Sequence, residues 1–163
     1  MLFYILMVLF FVGLDQITKV FAIGLQNLPG NTFPIWQDVF HLTYVENIGA
    51  AFGILQNQRW LFVILTGVIL CVGVVYLYKM RHTSKFLNLS ITLFMAGAIG
   101  NMIDRIFRGY VIDFFEVRLI NFAVFNVADS CLVIGAICIC ACLLFGQEVT
   151  LSKQDKYHDL KYK

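Results

Sequence analysis

The chain has 163 residues, of which 60% are apolar and only 13% are charged, and its net charge is +2. Typical soluble domains are roughly 45–50% apolar and about 25% charged. A soluble fold of this length has too little interior to cover so much hydrocarbon, so we expect lipid to cover part of it. This composition excludes a disordered chain, a nucleic-acid-binding module and an ordinary soluble enzyme, whereas so small a net charge gives no information about anionic partners.

Four segments are long enough to cross a bilayer, which requires about 20 mainly apolar residues. The segments are residues 1–24, 60–78, 86–103 and 127–145. The first contains Asp15 and Lys19 and lacks a basic start, so we interpret it as a retained helix and not as a cleaved signal. We therefore expect an integral membrane, mainly α fold. A single four-helix domain covers residues 1–146, and residues 147–163 form a polar cytoplasmic tail.

Two stretches between the spans predict a small β-structured platform at one membrane face. After a turn at Pro29 and Gly30, residues 39–45 are rich in β-branched and aromatic side chains, which favour a strand. The aromatic-rich residues 110–125 between the last two spans could also be extended. Aromatic side chains are enriched at membrane interfaces. The expected interfacial anchors are Trp36, Phe40, Tyr44 and Phe52.

The basic residues predict the orientation of the chain. Lys79, Arg81 and Lys85 lie in the short connection between the second and third spans, and four lysines lie in the tail. Short cytoplasmic loops carry an excess of Lys and Arg. Four spans place the connection, the tail and the N-terminus on the same side. We therefore expect both termini in the cytoplasm and the platform on the extracytoplasmic face.

Polar and ionisable residues gather near the outer ends of the spans and in the outer loops. They are Asp15, Asn47, Asn101, Asp104, Arg105, Asp113, Asn126 and Asp129. The inner half of each span is, by contrast, almost purely apolar. Because a charged side chain near the membrane centre costs about 2.5–3.5 kcal/mol on insertion scales, several at one depth suggest a shared polar pocket.

Structural explanations are also available for residues at two of these helix ends. Asp15 and Lys19 are four residues apart, so on a helix they could simply neutralise each other. Asn126 and Asp129 match a capping box, in which Asn126 is the N-cap and Asp129 lies in the first turn. These spacings alone do not separate a structural role from a functional one.

The third span and the loop that follows it raise the same question. Asn101 and Asp104 follow two glycines and could belong to a helix-packing face, and Asp104 could form an ion pair with Arg105. Asp113 is the hardest to explain structurally, because bulky apolar residues flank it and Arg108 is its only nearby cation in the sequence.

Paired carboxylates are the chemistry that this residue set favours. The histidines, at positions 41, 82 and 158, are scattered, and Ser130 has no evident activating base. We therefore expect no metal and no cofactor. Two carboxylates held close together share one proton at neutral pH. One can accept a proton from water while the other donates a hydrogen bond to a carbonyl, which would hydrolyse an amide. Spacing alone leaves the substrate open.

Two other functions are compatible with some of these residues. An ion-coupled transporter could relay protons through Asp15, Asp104 and Asp129, but it needs polar residues through the full depth of the membrane. A non-enzymatic membrane scaffold would use Asp129 only as a helix cap, and it would leave Asp113 unexplained.

Five sequence blocks, taken in order and placed relative to four spans, closely resemble lipoprotein signal peptidase, the bacterial signal peptidase II. The resemblance extends over about residues 8–146. The blocks are Asp15–Lys19, Glu46–Phe52, Gly97–Arg105, Val111–Phe114 and Phe125–Ser130.

This resemblance implies an aspartic endopeptidase of the bacterial plasma membrane that removes signal peptides from prolipoproteins. Cleavage would fall just before a diacylglyceryl-modified cysteine. The expected partners are these prolipoproteins and membrane lipid, with no nucleic acid, and we expect a monomer.

The resemblance also implies residue roles, position by position. Asp113 and Asp129 correspond to the catalytic pair. The residues that correspond to positions holding the pair or the substrate are Asn47, Asn101, Arg105 and Asn126. Asp15 and Asp104 match motif acids with a more structural role, and we group Lys19 with them. Ala123 replaces a frequent Pro, and Glu46 replaces a frequent Arg or other polar residue, so loop rigidity and substrate preference are in question there.

Overall fold

The computed structural model describes residues 1–49, 55–79 and 84–161, with side chains as far as residue 145. The helices are α1 (Leu2–Ile23), α2 (Arg59–Lys79), α3 (Lys85–Phe107) and α4 (Val127–Lys161). The strands are β1 (Thr32–Trp36), β2 (Phe40–Asn47) and β3 (Val111–Val117). Within these residues, four helices are long and apolar enough to cross a membrane, which confirms the predicted fold class.

Two helices extend beyond their predicted ends. We predicted that the third span ends at residue 103, but α3 continues to Phe107, because Asp104 in this additional turn finds a buried partner in Lys19. We placed the end of the fourth helix at residue 145, and α4 continues to Lys161. The stretch Val127–Phe145 of α4 is long and apolar enough to cross a membrane. The sequence beyond it contains no proline that would break the helix.

The strands form one antiparallel sheet in the order β1-β2-β3. The register of β2 and β3 runs from Asn47 opposite Val111 to Phe40 opposite Val117. The predicted strand at residues 39–45 corresponds to β2, whereas only Val111–Val117 of the predicted stretch 110–125 forms a strand. We did not predict β1 as a strand. It contains Pro34, which is tolerated because β1 is an edge strand.

The sheet lies at one end of the helices. β1 and β2 follow the C-terminus of α1 and precede α2, and β3 joins the end of α3 to the start of α4. The segments containing Asp15, Asp104 and Asp129 therefore meet at the same end of the helices as the sheet. This arrangement places the polar residues of the sequence next to the platform.

α3 is the central helix, and it packs against α1, α2 and α4. It approaches α4 closely where glycines leave room: a Cβ atom at Gly97 would lie 2.3 Å from the carbonyl oxygen of Ala128. A Cβ atom at Gly135 would lie 2.7 Å from the backbone nitrogen of Phe94. The glycines upstream of Asn101 therefore form the helix-packing face that the sequence suggested.

The inner half of α3 is less apolar than we expected. Asn88, Ser90 and Thr92 are all buried near its start. The Ser90 hydroxyl donates to the carbonyl oxygen of Phe86 at 2.8 Å, and the Thr92 hydroxyl donates to that of Asn88 at 2.7 Å. Carbonyls of the helix itself therefore satisfy these two hydroxyl groups.

We predict that Gly97→Ala destabilises the protein, because the new methyl group would overlap backbone atoms of α4. The overlap should lower the free energy of unfolding by about 1–3 kcal/mol. The matched control is Gly67→Ala in α2, where a Cβ atom would meet nothing within 4 Å. Thermal unfolding in detergent measures both variants. Equal melting temperatures for the wild type and Gly97→Ala would contradict the close helix crossing.

Candidate active site

The turn between α3 and β3 positions Asp113. The N–H groups of Arg108 and Gly109 both donate to the carbonyl oxygen of Asp104, at 2.7 and 3.1 Å, and so close the end of α3. Gly109 has φ = +88°, in the left-handed region that favours glycine. The chain reverses here, and β3 begins two residues later. Asp113 therefore lies beside the last turns of α3.

The start of α4 positions Asp129. The Asp129 N–H donates to Asn126 Oδ1 at 2.8 Å, and the Asn126 N–H donates to Asp129 Oδ2 at 3.2 Å. This reciprocal pair is the capping box that the sequence predicted. The other carboxylate oxygen of Asp129, Oδ1, accepts a hydrogen bond from Asn101 Nδ2 at 2.7 Å. The same carboxylate therefore caps a helix and belongs to the polar pocket.

Asp113 is buried, with 2% of its surface exposed. Its Oδ1 accepts from Asn126 Nδ2 at 2.6 Å, and its Oδ2 accepts from Asn47 Nδ2 at 2.9 Å. Burial is the main cause that raises the pKa of Asp113 to about 7, and the negative charge of Asp129 adds to it, against the opposing effect of the two amide donors. Asp113 is therefore close to half-protonated at neutral pH.

A cavity of about 700 Å³ lies beside both carboxylates. Asp113 and Asp129 line it, together with Asn47, Asn101 and Arg105. Much of the remaining wall is apolar, and it includes Val45, Ile48, Val111, Phe122, Leu132, Val133 and Ile134. The cavity therefore combines a polar end with an apolar wall.

Arg105 lines this cavity, and within the described residues it forms no salt bridge with Asp104. Its Nη2 donates to the carbonyl oxygen of Gly49 at 3.0 Å, and its guanidinium carbon lies 4.7 Å from the centre of the Phe62 ring. The ion pair that we considered between Asp104 and Arg105 is wrong. Arg108, one helical turn further along, is the arginine that pairs with Asp104.

Behind the cavity, Lys19 is the centre of a buried ionic cluster. Its Nζ lies 2.9 Å from Asp15 Oδ2, 2.8 Å from Asp104 Oδ2 and 3.0 Å from Asn101 Oδ1, and its side chain is 0% exposed. Asp15 Oδ1 also accepts from the N–H of Ala128 at 2.9 Å. The predicted pairing of Asp15 with Lys19 is confirmed, as part of a larger cluster that joins α1, α3 and α4.

The nine residues singled out in the sequence thus lie in one connected region, in two layers. Asp113, Asp129 and the residues expected to support them line the cavity or contact it, and the three structural residues lie behind it. We did not predict a role for Gln16, whose Nε2 donates to Asp104 Oδ1 at 3.2 Å and whose Oε1 accepts from Arg108 at 3.2 Å. The four-residue spacing of Asp104 and Arg108 could have indicated their pairing.

Three further residues bear on the platform and the cavity. Glu46 and Ala123 both line the cavity. Tyr44 is buried and donates to Glu46 Oε1 at 3.0 Å, and burial raises the pKa of its hydroxyl. Our prediction that Tyr44 is a membrane anchor is therefore wrong. Of the other predicted anchors, Phe52 lies outside the described residues. Trp36 is exposed, and Phe40 is half-buried.

In the described parts of the chain, no group of three His, Cys, Asp or Glu side chains could hold a metal ion.

Comparison with known proteins identifies the family. A family profile described as signal peptidase (SPase) II matches residues 7–145. The lipoprotein signal peptidase of Clostridioides difficile is 46% identical over 143 residues, which are 87% of this chain and 95% of that protein. That of Halothermothrix orenii is 46% identical over 131 residues, which are 80% of this chain and 88% of that protein.

A solved structure agrees with these sequence relatives. A bacterial membrane enzyme determined by the in meso method at 2.3 Å resolution superposes with a TM-score of 0.79 at 38% identity. The superposition covers 86% of this chain and 87% of that one. The chain therefore belongs to the signal peptidase II family, the aspartic peptidases that remove signal peptides from prolipoproteins.

Proposed function

We propose that Asp113 and Asp129 are the catalytic pair of this peptidase, and that they activate water to cleave a prolipoprotein before a diacylglyceryl-modified cysteine. The observation that carries the proposal is that both carboxylates line one cavity and share Asn126 as a hydrogen-bond partner. Asn101 then joins Asn126 to Asp129.

The surroundings of the two carboxylates favour different roles. Asp129 lies in the first turn of α4, where the helix dipole favours a negative charge, and its oxygens accept from Asn101 and from the N–H of Asn126. Asp113 is more deeply buried, and its raised pKa keeps a proton available near neutral pH. We therefore assign Asp129 as the base and Asp113 as the acid of a pair that shares one proton.

The reaction then proceeds in two balanced steps. Asp129 takes a proton from water while the water oxygen forms a bond to the scissile carbonyl carbon, and Asp113 donates its proton to the developing oxyanion. When the tetrahedral intermediate collapses, the C–N bond breaks and the proton held by Asp129 passes to the leaving amine. The hydroxyl group that Asp113 had protonated returns its proton to Asp113 as the carbonyl re-forms, so the pair regains its starting state.

Asn47, Asn126 and Arg105 support this arrangement. Asn47 and Asn126 hold the two oxygens of Asp113 from opposite sides. Arg105 is held by the carbonyl of Gly49 and by the Phe62 ring, so its charge is fixed at the cavity wall. We assign it to hold a carbonyl group of the substrate backbone. We propose a monomer as the working unit, because the described residues of this chain supply both carboxylates and their hydrogen-bond partners.

The apolar wall suggests how a lipid-modified substrate would enter. Val133 and Ile134 of α4 line the cavity, and their exposed fractions are 57% and 51%. In a membrane, hydrocarbon would therefore reach the cavity along α4. Acyl chains on the cysteine would then lie against the apolar wall while the peptide bond reaches the carboxylates.

The orientation belongs to the same proposal. Lys79 and Lys85 lie at the end of the helices opposite the sheet, and so does the lysine-rich tail. Because positive residues favour the cytoplasmic side, the termini would be cytoplasmic and the site extracytoplasmic, in the plasma membrane of a bacterium. A diacylglyceryl-cysteine in the outer leaflet would then lie at the depth of the pair.

We predict that Asp113→Asn and Asp129→Asn each lower kcat for a diacylglyceryl prolipopeptide by about 10²–10⁴-fold, because each variant removes one partner in proton transfer. A peptide cleavage assay in detergent measures the rates. The matched control is Asp38→Asn, which changes an exposed acid on the turn between β1 and β2 and should leave kcat unchanged. Near-normal turnover by either variant of the pair would refute the assignment.

The raised pKa of Asp113 also predicts a pH-dependent stability. Between the ordinary value of 3.8 and about 7, the folded state keeps a proton on Asp113 that the unfolded state releases. The contribution of Asp113 to the free energy of unfolding is therefore complete below pH 3.8, and it is lost as the pH rises through about 7. Asp113→Asn lacks this contribution. The melting temperature of the wild type should fall relative to this variant as the pH rises through this window, and parallel melting curves would contradict the raised pKa.

The lipid requirement is a separate prediction, tested with one peptide made with and without its diacylglyceryl group. Burial of each CH₂ group of an acyl chain contributes about 0.8 kcal/mol. A peptide that lacks the few CH₂ groups buried against the apolar wall should therefore have a kcat/KM about 100-fold lower. The two peptides must be compared at the same detergent concentration. Equal kcat/KM values would show that the acyl chains do not enter the site.

A further inference from the structure

We propose that Lys19, so far grouped with the structural residues, is a positioning residue for both catalytic carboxylates. It acts through two intermediaries: the side-chain amide of Asn101 on one side and the carboxylate of Asp104 on the other. The inference rests on the proposed function, because it requires that Asp113 and Asp129 are the reacting pair.

The first branch runs through Asn101 to Asp129. An ammonium group has three N–H donors and no acceptor, so only an oxygen can face it. Lys19 Nζ contacts Asn101 Oδ1 at 3.0 Å, and this contact turns the Nδ2 group of Asn101 toward Asp129 Oδ1, 2.7 Å away. The opposite amide orientation would place an NH₂ group against the lysine and a carbonyl oxygen against the carboxylate. Lys19 therefore favours the orientation in which Asp129 receives a donor, together with Asn126 Nδ2, which donates to the same Asn101 oxygen at 3.2 Å.

The second branch runs through Asp104 to Asp113. Asp104 Oδ2 accepts from Lys19 at 2.8 Å and also from the N–H of Ile112 at 3.3 Å. The carbonyl oxygen of Ile112 accepts from Asn126 Nδ2 at 3.2 Å. The N–H and the carbonyl oxygen of Ile112, the residue before Asp113, are thus both hydrogen-bonded to side chains. Ile112 is fully buried, so this backbone depends on the two side chains.

Neutralisation of charge alone does not account for this geometry. Lys19 and Arg108 balance Asp15 and Asp104, so the cluster has no net formal charge. All three lysine donors are nevertheless used, and one of them contacts a neutral amide. Removing Lys19 and the charge of Asp15 together leaves Asp104 paired with Arg108. That double change keeps the charge balance and removes the donors, so it separates the two roles.

The test compares Asp15→Asn with Asp15→Asn/Lys19→Met in detergent, using the full chain and a diacylglyceryl prolipopeptide. Asp15→Asn keeps Lys19, and the amide oxygen of the new asparagine can still accept from the N–H of Ala128. The kcat of this variant should therefore stay close to the wild-type value. The double variant should fold and should lower kcat by about 10–100-fold with little change in KM, since a small displacement of a reacting group has an effect of this size. Asp15→Asn/Lys19→Leu repeats the measurement with a side chain of another shape.

The outcomes separate this inference from the proposed function. A folded double variant with a normal kcat would overturn the role of Lys19 and leave the catalytic pair intact. A rise in KM at constant kcat would also overturn it, because it would place Lys19 in substrate binding. If Asp113→Asn or Asp129→Asn stayed active in the same assay, the proposed function would fail first. A loss of kcat in both double variants, with melting temperatures close to that of Asp15→Asn, would support positioning.

Discussion

Polar groups that lie within the membrane-spanning helices must find their partners inside the protein, because hydrocarbon offers none. Lys19 shows this constraint most clearly, since it is fully buried and all three of its donors are used. Its partners come from α1 and α3, and Asp15 continues the connection to the N-terminus of α4. The position of the sheet depends on the same cluster, since Asp104 holds the backbone of β3. Removing the lysine would take away the cation that Asp15 contacts, whereas Asp104 would keep Arg108.

The same residues serve the fold and the site. Asn126 begins α4 as its N-cap and also reaches Asp113, and Asp129 completes the capping box and lines the cavity. A capping residue has a well-defined rotamer because the helix backbone holds it. A carboxylate that belongs to a capping box therefore has a fixed direction without additional structure. The capping role that the sequence suggested is confirmed, and it does not exclude the catalytic role that we propose for Asp129.

Much of the fold follows from simple patterns in the sequence. The spans follow from hydropathy, β2 from its β-branched and aromatic residues, and the capping box from the spacing of Asn126 and Asp129. The end of α3 did not follow, because polar residues there resemble the edge of a membrane span until their buried partners are known. β1 did not follow either, since an edge strand is stabilised by its neighbour more than by its own composition.

The site was predictable as a set of residues and less so as a set of contacts. Motif blocks identified the residues that meet beside the cavity, but pairings between distant segments need the three-dimensional structure. Arg108 was the cation that the sequence suggested for Asp113, yet it pairs with Asp104, because the turn at Gly109 reverses the chain. Gln16, which joins α1 to that pair, carried no signal beyond its place next to Asp15.

The central claim is that Asp113 and Asp129 form one acid–base unit with a shared proton. Isotope-edited infrared titration of the Asp113 carboxyl, in the wild type and in Asp129→Asn, tests it most directly. In the wild type, the band of the protonated carboxyl should disappear around pH 7. In Asp129→Asn it should disappear at lower pH, because the neighbouring negative charge is gone. An unchanged titration in the variant, or a wild-type Asp113 that titrates near the ordinary value of about 4, would contradict the claim.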